Sequence, residues 1–138
     1  METVDRSIPN NRNPYCSASF GEDNTITIGT EAANVIRVSV KLKRPNGASL
    51  GIRVGGYAFL SSDPQGDDIV ASAPSGGIAV GNKGVIHPVI SGKSFFFVTD
   101  ANGEFNVDIT ENTGRTMYLC IVSPSGVVVA SSAITFAA

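Results

Sequence analysis

The side chains that could act as an acid, a base or a nucleophile are few, because the chain has one histidine, two cysteines and no tryptophan. His87 lies between Ile86 and Pro88, in an expected edge strand, which favours a structural role over a catalytic one. A triad could be assembled from Ser91, His87 and Asp100, but no strained nucleophile turn accompanies these residue types. We therefore predict that the protein is not an enzyme and uses no cofactor and no small-molecule substrate.

Acidic side chains occur in two short stretches where calcium, which takes about six to eight oxygen ligands, could bind. One stretch holds Asp63, Asp67 and Asp68, and the other is Asp100-Ala101-Asn102-Gly103-Glu104. Neither has the spacing of a known calcium loop, and turn preference alone explains the second. The sequence therefore predicts no metal site, and it leaves calcium open only at residues 63–68.

The two cysteines, Cys16 and Cys120, are far apart in the chain, one in a polar leader and one in an expected strand. A disulfide between them stays open, but free thiols with Cys120 buried fit better, because secreted scaffolds of this size usually carry more cysteines. The start of the chain has no signal-peptide pattern, and no apolar run approaches the ~20 residues of a membrane span. We expect a soluble protein that is made in a cytoplasm and binds no membrane.

The composition favours a single all-β domain. The chain has 138 residues, of which 42% are hydrophobic and 15 are glycine. Valine, isoleucine, alanine and phenylalanine dominate the apolar part, while good helix formers are sparse. The net charge of −2 gives no overall attraction to phosphate backbones, so nucleic acid is not an expected partner.

Residues 95–109 carry the strongest structural pattern. The aromatic run Phe95-Phe96-Phe97-Val98 is followed by Asn102-Gly103, a pair that favours a tight turn. A strict alternation then places apolar side chains on one face and polar ones on the other, namely Phe105, Val107 and Ile109 against Glu104, Asn106 and Asp108. The pattern predicts a β-hairpin with one buried face and one solvated face.

From Thr25 onward, short apolar segments recur at regular intervals, each closed by a turn residue, which is typical of a β-sandwich. Gly55-Gly56 in the third segment predicts a bulge or the close approach of another backbone, and Pro88 predicts a sheet edge. The last segment, residues 127–136, has apolar side chains on both faces, so it is either a central strand or packed against another copy. We predict an antiparallel β-sandwich of about eight or nine strands, Ig-like or jelly-roll, over residues 25–138.

Residues 1–24 are polar, with scattered apolar side chains at Val4, Ile8, Tyr15 and Phe20. Such low hydrophobicity is typical of a disordered terminus. The alternative is an extended N-terminal arm whose apolar side chains dock on a partner.

Arg37, Lys41 and Lys43 share one face of an expected strand and form a basic stripe. The stripe is either a solvated face paired to Glu104 and Asp108 across a neighbouring strand, or a surface that meets an acidic partner. The first interpretation is the simpler one.

Two segments resemble bacterial Ig-like modules of invasins and adhesins. Leu42-Lys43-Arg44-Pro45-Asn46-Gly47 is loosely similar to the L-x-D-x-x-G segment of those modules, and residues 99–110 are closely similar to their T-D-x-N-G-x-A-x-V-x-L-T hairpin. The similarity runs from Val35 onward and implies an Ig-like sandwich.

The whole chain also resembles small structural proteins of tailed bacteriophages, which are encoded beside the major capsid protein and decorate or cement the head. The similarity lies in the polar leader and in four segments: N-V-I-R-V-S-V-K-L-K (34–43), Y-A-F-L-S-S-D (57–63), A-P-S-G-G-I-A-V-G (73–81) and G-V-V-V-A-S-S-A-I-T-F-A (126–137). Such proteins act through surfaces, so the resemblance implies no catalytic residues.

These observations together predict a non-enzymatic virion protein that stabilises or decorates the capsid surface and is made in the cytoplasm of the bacterial host. Its expected partners are the major capsid protein and copies of itself, as a dimer or trimer. The expected contact residues are Val4, Ile8, Tyr15, Phe20, Arg37, Lys41, Lys43, Val127 and Val129. Two alternatives stay open: a carbohydrate- or surface-binding Ig-like module of a phage fibre or adhesin, and a tail or baseplate component.

Overall fold

The protein is all-β over residues 20–137, the part of the chain that the computed structural model describes, and that part contains no helix. Its strands, in chain order, are β1 (Thr25–Ile28), β2 (Val35–Lys41), β3 (Gly55–Ser61), β4 (Gly77–Val80), β5 (Val85–Ile90), β6 (Ser94–Val98), β7 (Glu104–Thr110), β8 (Arg115–Val122), β9 (Val128–Ala130) and β10 (Ile134–Phe136).

The strands form two antiparallel sheets. The small sheet has the order β1-β2-β7-β4, and the large sheet has the order β10-β8-β3-β6-β5, with β9 also paired to β8. Both sheets contribute buried apolar side chains to one common core. The predicted antiparallel β-sandwich is therefore confirmed.

The core follows from strand alternation, because every second side chain of a strand points to the same face. The side chains that point inward are Ile36, Val38, Val40, Phe105, Val107 and Ile109 from the small sheet, and Ala58, Leu60, Phe95, Phe97, Leu119 and Ile121 from the large sheet. Phe97 stacks on Phe105 across the two layers, with ring centroids 4.1 Å apart. Aromatic stacking thus joins the sheets at the centre of the sandwich.

The prediction of a hairpin over residues 95–109 is wrong, although the predicted turn and the predicted alternation of apolar and polar side chains are confirmed. β6 belongs to the large sheet and β7 to the small sheet, so the turn between them carries the chain from one layer to the other. Asp100 Oδ1 accepts the N–H groups of Asn102 and Glu104, and Gly103 has a φ of +76°. These bonds hold the turn tight. β6 and β7 then lie in different sheets, and their aromatic side chains pack against each other in the core.

Two further local predictions have different outcomes. β5, which contains Pro88, pairs only with β6, and its register shifts between Pro88 and Ile90, so the predicted sheet edge is confirmed. Gly55 and Gly56 pair with β6 in unbroken register, so no bulge forms there. A Cβ on Gly56 would lie 2.6 Å from Cζ of Phe97, which shows that an aromatic ring, not another backbone, approaches this glycine.

The segment predicted as one final strand is divided into β9 and β10, which both lie beside β8. Between them, the Ser131 hydroxyl accepts the N–H of Leu119, and the Ser131 N–H donates to the Leu119 carbonyl. In the described part of the chain no strand lies beyond β9 and β10, so this segment is an edge. The alternative of a central, doubly covered strand is wrong.

Phe20 already packs against the sandwich, although it lies before the predicted boundary at residue 25. Phe20 is 4% exposed and its ring lies 6.3 Å from that of Phe97. Gly21 and Asn24 then hydrogen-bond to the backbone of Lys43, so residues 20–24 run along the sandwich.

Candidate contact surface

The outward side of the large sheet carries a largely apolar band of side chains. Paired residues of an antiparallel sheet lie on the same face, so the register gives a continuous row that crosses β9, β8, β3, β6 and β5. The row consists of Val128, Val122, Tyr57, Phe96 and His87. Phe59 on β3, Val98 on β6 and Val85 on β5 stand on the same side in the neighbouring rows. We call these eight side chains the apolar face.

The apolar face is open to solvent at its centre and at the β5 edge. Phe96 is 53% exposed and Val85 is 48% exposed. Phe96 meets Tyr57 edge to face, with ring centroids 5.3 Å apart, and Tyr57 also contacts Phe59 at 6.4 Å. Phe96 is therefore supported sideways by the half-buried Tyr57 while its own outward surface stays uncovered.

The loop of residues 62–68 lies against the β8–β9 corner of the apolar face. A Cβ on Gly66 would be 2.8 Å from Val128 Cγ1 and 3.0 Å from the Sγ of Cys120, so the loop backbone covers this thiol. Cys120 is a free, fully buried cysteine, as expected, and burial raises the pKa of its thiol to about 11. Cys120 is therefore held as an unreactive thiol.

The acidic groups of the same loop have turn-forming contacts. Asp63 Oδ1 accepts the N–H groups of Gln65 and Asp67, each at 3.0 Å. Asp68 Oδ2 lies 3.3 Å from the Ser62 hydroxyl. Within residues 20–137, no cluster of three or more histidine, cysteine, aspartate or glutamate side chains is placed to hold a metal ion. The loop conformation is explained by these internal hydrogen bonds.

The outward side of the small sheet is polar. We call it the polar face, and its side chains are Thr25, Thr27, Arg37, Ser39, Lys41, Glu104, Asn106 and Asp108. The Arg37 guanidinium binds both carboxylate oxygens of Asp108, at 2.7 and 3.0 Å, and these hydrogen bonds lower the pKa of Asp108. Lys41 lies 3.8 Å from Glu104, which also binds Lys83. The predicted cross-strand pairing of Arg37 and Lys41 with Asp108 and Glu104 is therefore confirmed.

Asn106 connects the polar face to the loop between β4 and β5. Its Oδ1 accepts the N–H of Asn82 at 2.8 Å and that of Lys83 at 3.2 Å, and its Nδ2 donates to Asn82 Oδ1 at 2.7 Å. Asn106 is 4% exposed, so these bonds satisfy both ends of a buried amide. Hydrogen bonds within the chain thus satisfy the polar face even at its buried side chain, Asn106.

The residues predicted to contact a partner are spread over different parts of the molecule. Val4, Ile8 and Tyr15 lie outside the described residues. Phe20 is buried in the core, and Lys43 is half-buried where its backbone meets residues 20–24. Val127 is 44% exposed before β9, whereas Val129 is half-buried opposite Ile121 on the inward side. Of the three adjacent valines, only Val128 belongs to the apolar face.

The apolar face was not identified from the sequence, although a signal for it exists there. Tyr57 and Phe59 alternate with the core residues Ala58 and Leu60, so β3 has apolar side chains on both sides. A strand of this kind is buried on both faces or uncovered on one. The apolar run in β6 around Phe96 carries the same signal.

The residues considered for catalysis do not form a site. The side chain of His87 is exposed and makes no hydrogen bond to another described residue, and that of Ser91 makes none either. Asp100 Oδ1 is occupied by backbone N–H groups at its turn. Nothing in the described geometry links these three side chains.

A buried ion pair, which the sequence did not indicate, fixes the turn between β7 and β8. Glu111 is 3% exposed and accepts hydrogen bonds from Arg115 at 3.0 Å, from the Thr113 hydroxyl at 2.9 Å and from the Ser75 N–H at 3.2 Å. Burial would raise the pKa of Glu111, but these bonds outweigh it and lower the pKa to about 2. Arg115 also binds the carbonyls of Ser72 and Ala73, so the cluster is a clamp on a loop.

Two surface depressions lie apart from the apolar face. A groove of about 580 Å³ is lined by Phe20, Gly21, Glu22, Asp23, Pro45, Pro124 and Ser125. A shallower one of about 170 Å³ lies beside the Lys41–Glu104 pair. In the first, Glu22 accepts a hydrogen bond from Ser125 at 2.8 Å, so its carboxylate has a partner within the chain.

A comparison with protein-family models finds no match to this chain, and a comparison with curated proteins finds none either. No helix among residues 20–137 is long and apolar enough to cross a membrane. The two outward sheet faces are the features of the described chain that bear on its function.

Proposed function

We propose that this protein is a non-enzymatic structural component of a phage particle, which binds and decorates the capsid through its surfaces. The observation that supports the proposal best is the apolar face, with Phe96 half exposed at its centre. Contiguous apolar surface on a monomer is typical of a site that another protein covers. The resemblance of the chain to head decoration proteins supplies the setting.

The arrangement of the chain suits attachment better than chemistry. The most strongly perturbed acid, Glu111, is held by Arg115, Thr113 and Ser75 inside a structural clamp. The exposed aromatic pair of Tyr57 and Phe96 stands instead on a broad sheet, where shape and apolar contact determine binding.

The same aromatic pair supports a second candidate, a carbohydrate-binding module of a fibre or adhesin. Sugar rings stack on exposed aromatic faces, and Phe96 beside Tyr57 offers one. A glycan array separates the two proposals, since binding to a defined glycan that Phe96→Ala abolishes would favour the second.

The capsid proposal is tested by co-sedimentation of the purified full chain with capsids that lack it. We expect the wild-type chain to pellet with capsids, and Phe96→Glu to pellet less. Thr27→Glu is the matched control, because it adds the same charge on the polar face, where Thr27 is exposed. A wild-type chain that stays in the supernatant at every concentration would contradict the proposal. A second variant that lacks residues 1–19, and so keeps the buried Phe20, asks whether the predicted arm is an anchor, and undiminished binding would exclude that role.

A further inference from the structure

We infer that the apolar face is covered by a second copy of this chain, so that two molecules pack with their large sheets face to face. The inference rests on the proposed function, because it names a partner of the surface that supports it. It makes a homodimer the unit that attaches to a larger assembly through its other surfaces, so Phe96→Glu lowers capsid binding by separating the two copies.

Charge is the first reason for choosing a second copy as the partner. In a two-fold symmetric contact the same patch occurs on both sides, so a charge near the symmetry axis meets a like charge. Among the described residues, the outward positions of β3, β5, β6, β8 and β9 include no aspartate, glutamate, lysine or arginine. The polar face, by contrast, carries both signs. The strand side chains of the apolar face can therefore meet their own copies without a like-charge contact.

The edges of the large sheet supply the second reason, because they are unsuited to pairing with another strand. β5 contains Pro88, which cannot donate to a ladder, and its register is irregular at Pro88. On the opposite edge, β9 has only three residues and is separated from β10 by the buried Ser131. A dimer formed by joining sheets edge to edge is disfavoured at both ends, which leaves the face itself as the contact.

The size of the face supplies the third reason. Five strands spaced about 4.8 Å apart, with three rows of outward side chains, give a patch of roughly 20 Å by 20 Å, or about 400 Å² in projection. Specific interfaces bury about 800 Å² per partner, so the face is about half the usual size and fits only a weak, transient contact. We therefore expect a dimer that dissociates on dilution.

Sedimentation velocity of the full chain over a wide concentration range tests the inference directly. We expect wild type to shift from monomer to dimer as concentration rises, with dimerisation weakened at least about tenfold by Phe96→Glu, because each copy would bury an unpaired carboxylate. Val85→Glu, at the exposed β5 edge of the face, should weaken it as well. Thr27→Glu should dimerise like wild type. A wild type that stays monomeric, or a Thr27→Glu variant that is weakened as much as Phe96→Glu, would overturn the inference.

The capsid assay separates a failure of this inference from a failure of the proposed function. If the chain dimerises through Phe96 but does not bind capsids, the dimer inference stands and the capsid role is refuted. If the chain stays monomeric and its capsid binding depends on Phe96, the dimer inference is refuted and the apolar face is the contact with the capsid protein. Thermal unfolding of each variant accompanies both assays, and only variants that unfold cooperatively are compared.

Discussion

The outward faces of the two sheets differ in where their side chains find partners. On the small sheet, Arg37 meets Asp108 and Lys41 meets Glu104 across neighbouring strands, so the polar face is satisfied by the chain itself and by water. On the large sheet, Tyr57, Phe59 and Phe96 contact one another only sideways, and their outward surface has no partner in the described chain.

This difference is the reason for proposing an intermolecular contact on one side of the sandwich and not on the other. An antiparallel sheet can stand in water on one face when that face is polar, as the small sheet does. A sheet with apolar side chains on both faces is poorly soluble unless another molecule covers the second face. We therefore expect a partner on the apolar face and none on the polar face.

The largest expected effect comes from comparing two adjacent phenylalanines of β6. Phe97→Ala should lower the free energy of unfolding by about 3–5 kcal/mol, because it removes a fully buried ring stacked on Phe105. Phe96→Ala should lower it by less than about 1 kcal/mol in the dilute monomer, since that ring is half exposed. Urea unfolding at low protein concentration measures both. Equal losses would show that the apolar face is part of the core of the fold.

A smaller effect is expected at the buried carboxylate, which contrasts with the exposed carboxylates of the polar face. Glu111→Gln should lower the free energy of unfolding by about 1–3 kcal/mol, because the half-buried Arg115 would lose its charged partner. Chemical unfolding at pH 7 measures the loss. A stability equal to that of wild type would mean that the clamp on residues 72–75 contributes nothing.

The pH dependence of stability should come largely from this same group. The pKa of Glu111 is about 2 in the folded protein, against 4.5 for an ordinary glutamate, so the folded state favours the ionised form. Its stabilising contribution is complete above about pH 4.5 and is lost as the pH falls toward 2. Urea midpoints between these two pH values should fall more steeply for wild type than for Glu111→Gln. Parallel slopes would assign acid sensitivity to other carboxylates.

The smallest effect is expected on the polar face. A double-mutant cycle with Arg37→Ala and Asp108→Ala should give a coupling energy close to zero, since solvent screens this exposed pair. The dimer should be unaffected, because the pair lies on the opposite sheet. Loss of dimerisation in either single variant would break the contrast between the faces.

The sequence predicted those features that follow from local patterns and from opposite charge. The strand class, the inward positions of β2 and β7, the edge at Pro88 and the pairing of Arg37 with Asp108 follow from alternation, proline chemistry and opposite charge. The turn at Asp100 and Gly103 was also identified from local preference.

The features that were missed depend on contacts between distant parts of the chain. A tight turn with alternating flanks is common to a hairpin and to a crossing between layers, and only the stacking of Phe97 on Phe105 decides between them. Phe20 was assigned to an arm because its neighbours are polar, whereas Phe97 and the core surround it. The apolar face was missed for the same reason, since its row is contributed by five separate strands.

The central claim, that the apolar face is a contact surface and the polar face is not, is tested most directly by labelling both faces of the wild-type protein across a dilution series. Hydroxyl-radical oxidation reports the accessibility of Tyr57 and Phe96, and lysine acetylation reports that of Lys41 and Lys83, all read by mass spectrometry. We predict that oxidation of Tyr57 and Phe96 falls as protein concentration rises, while acetylation of Lys41 and Lys83 stays constant. Constant oxidation of Phe96 at every concentration, with or without capsids, would contradict the claim.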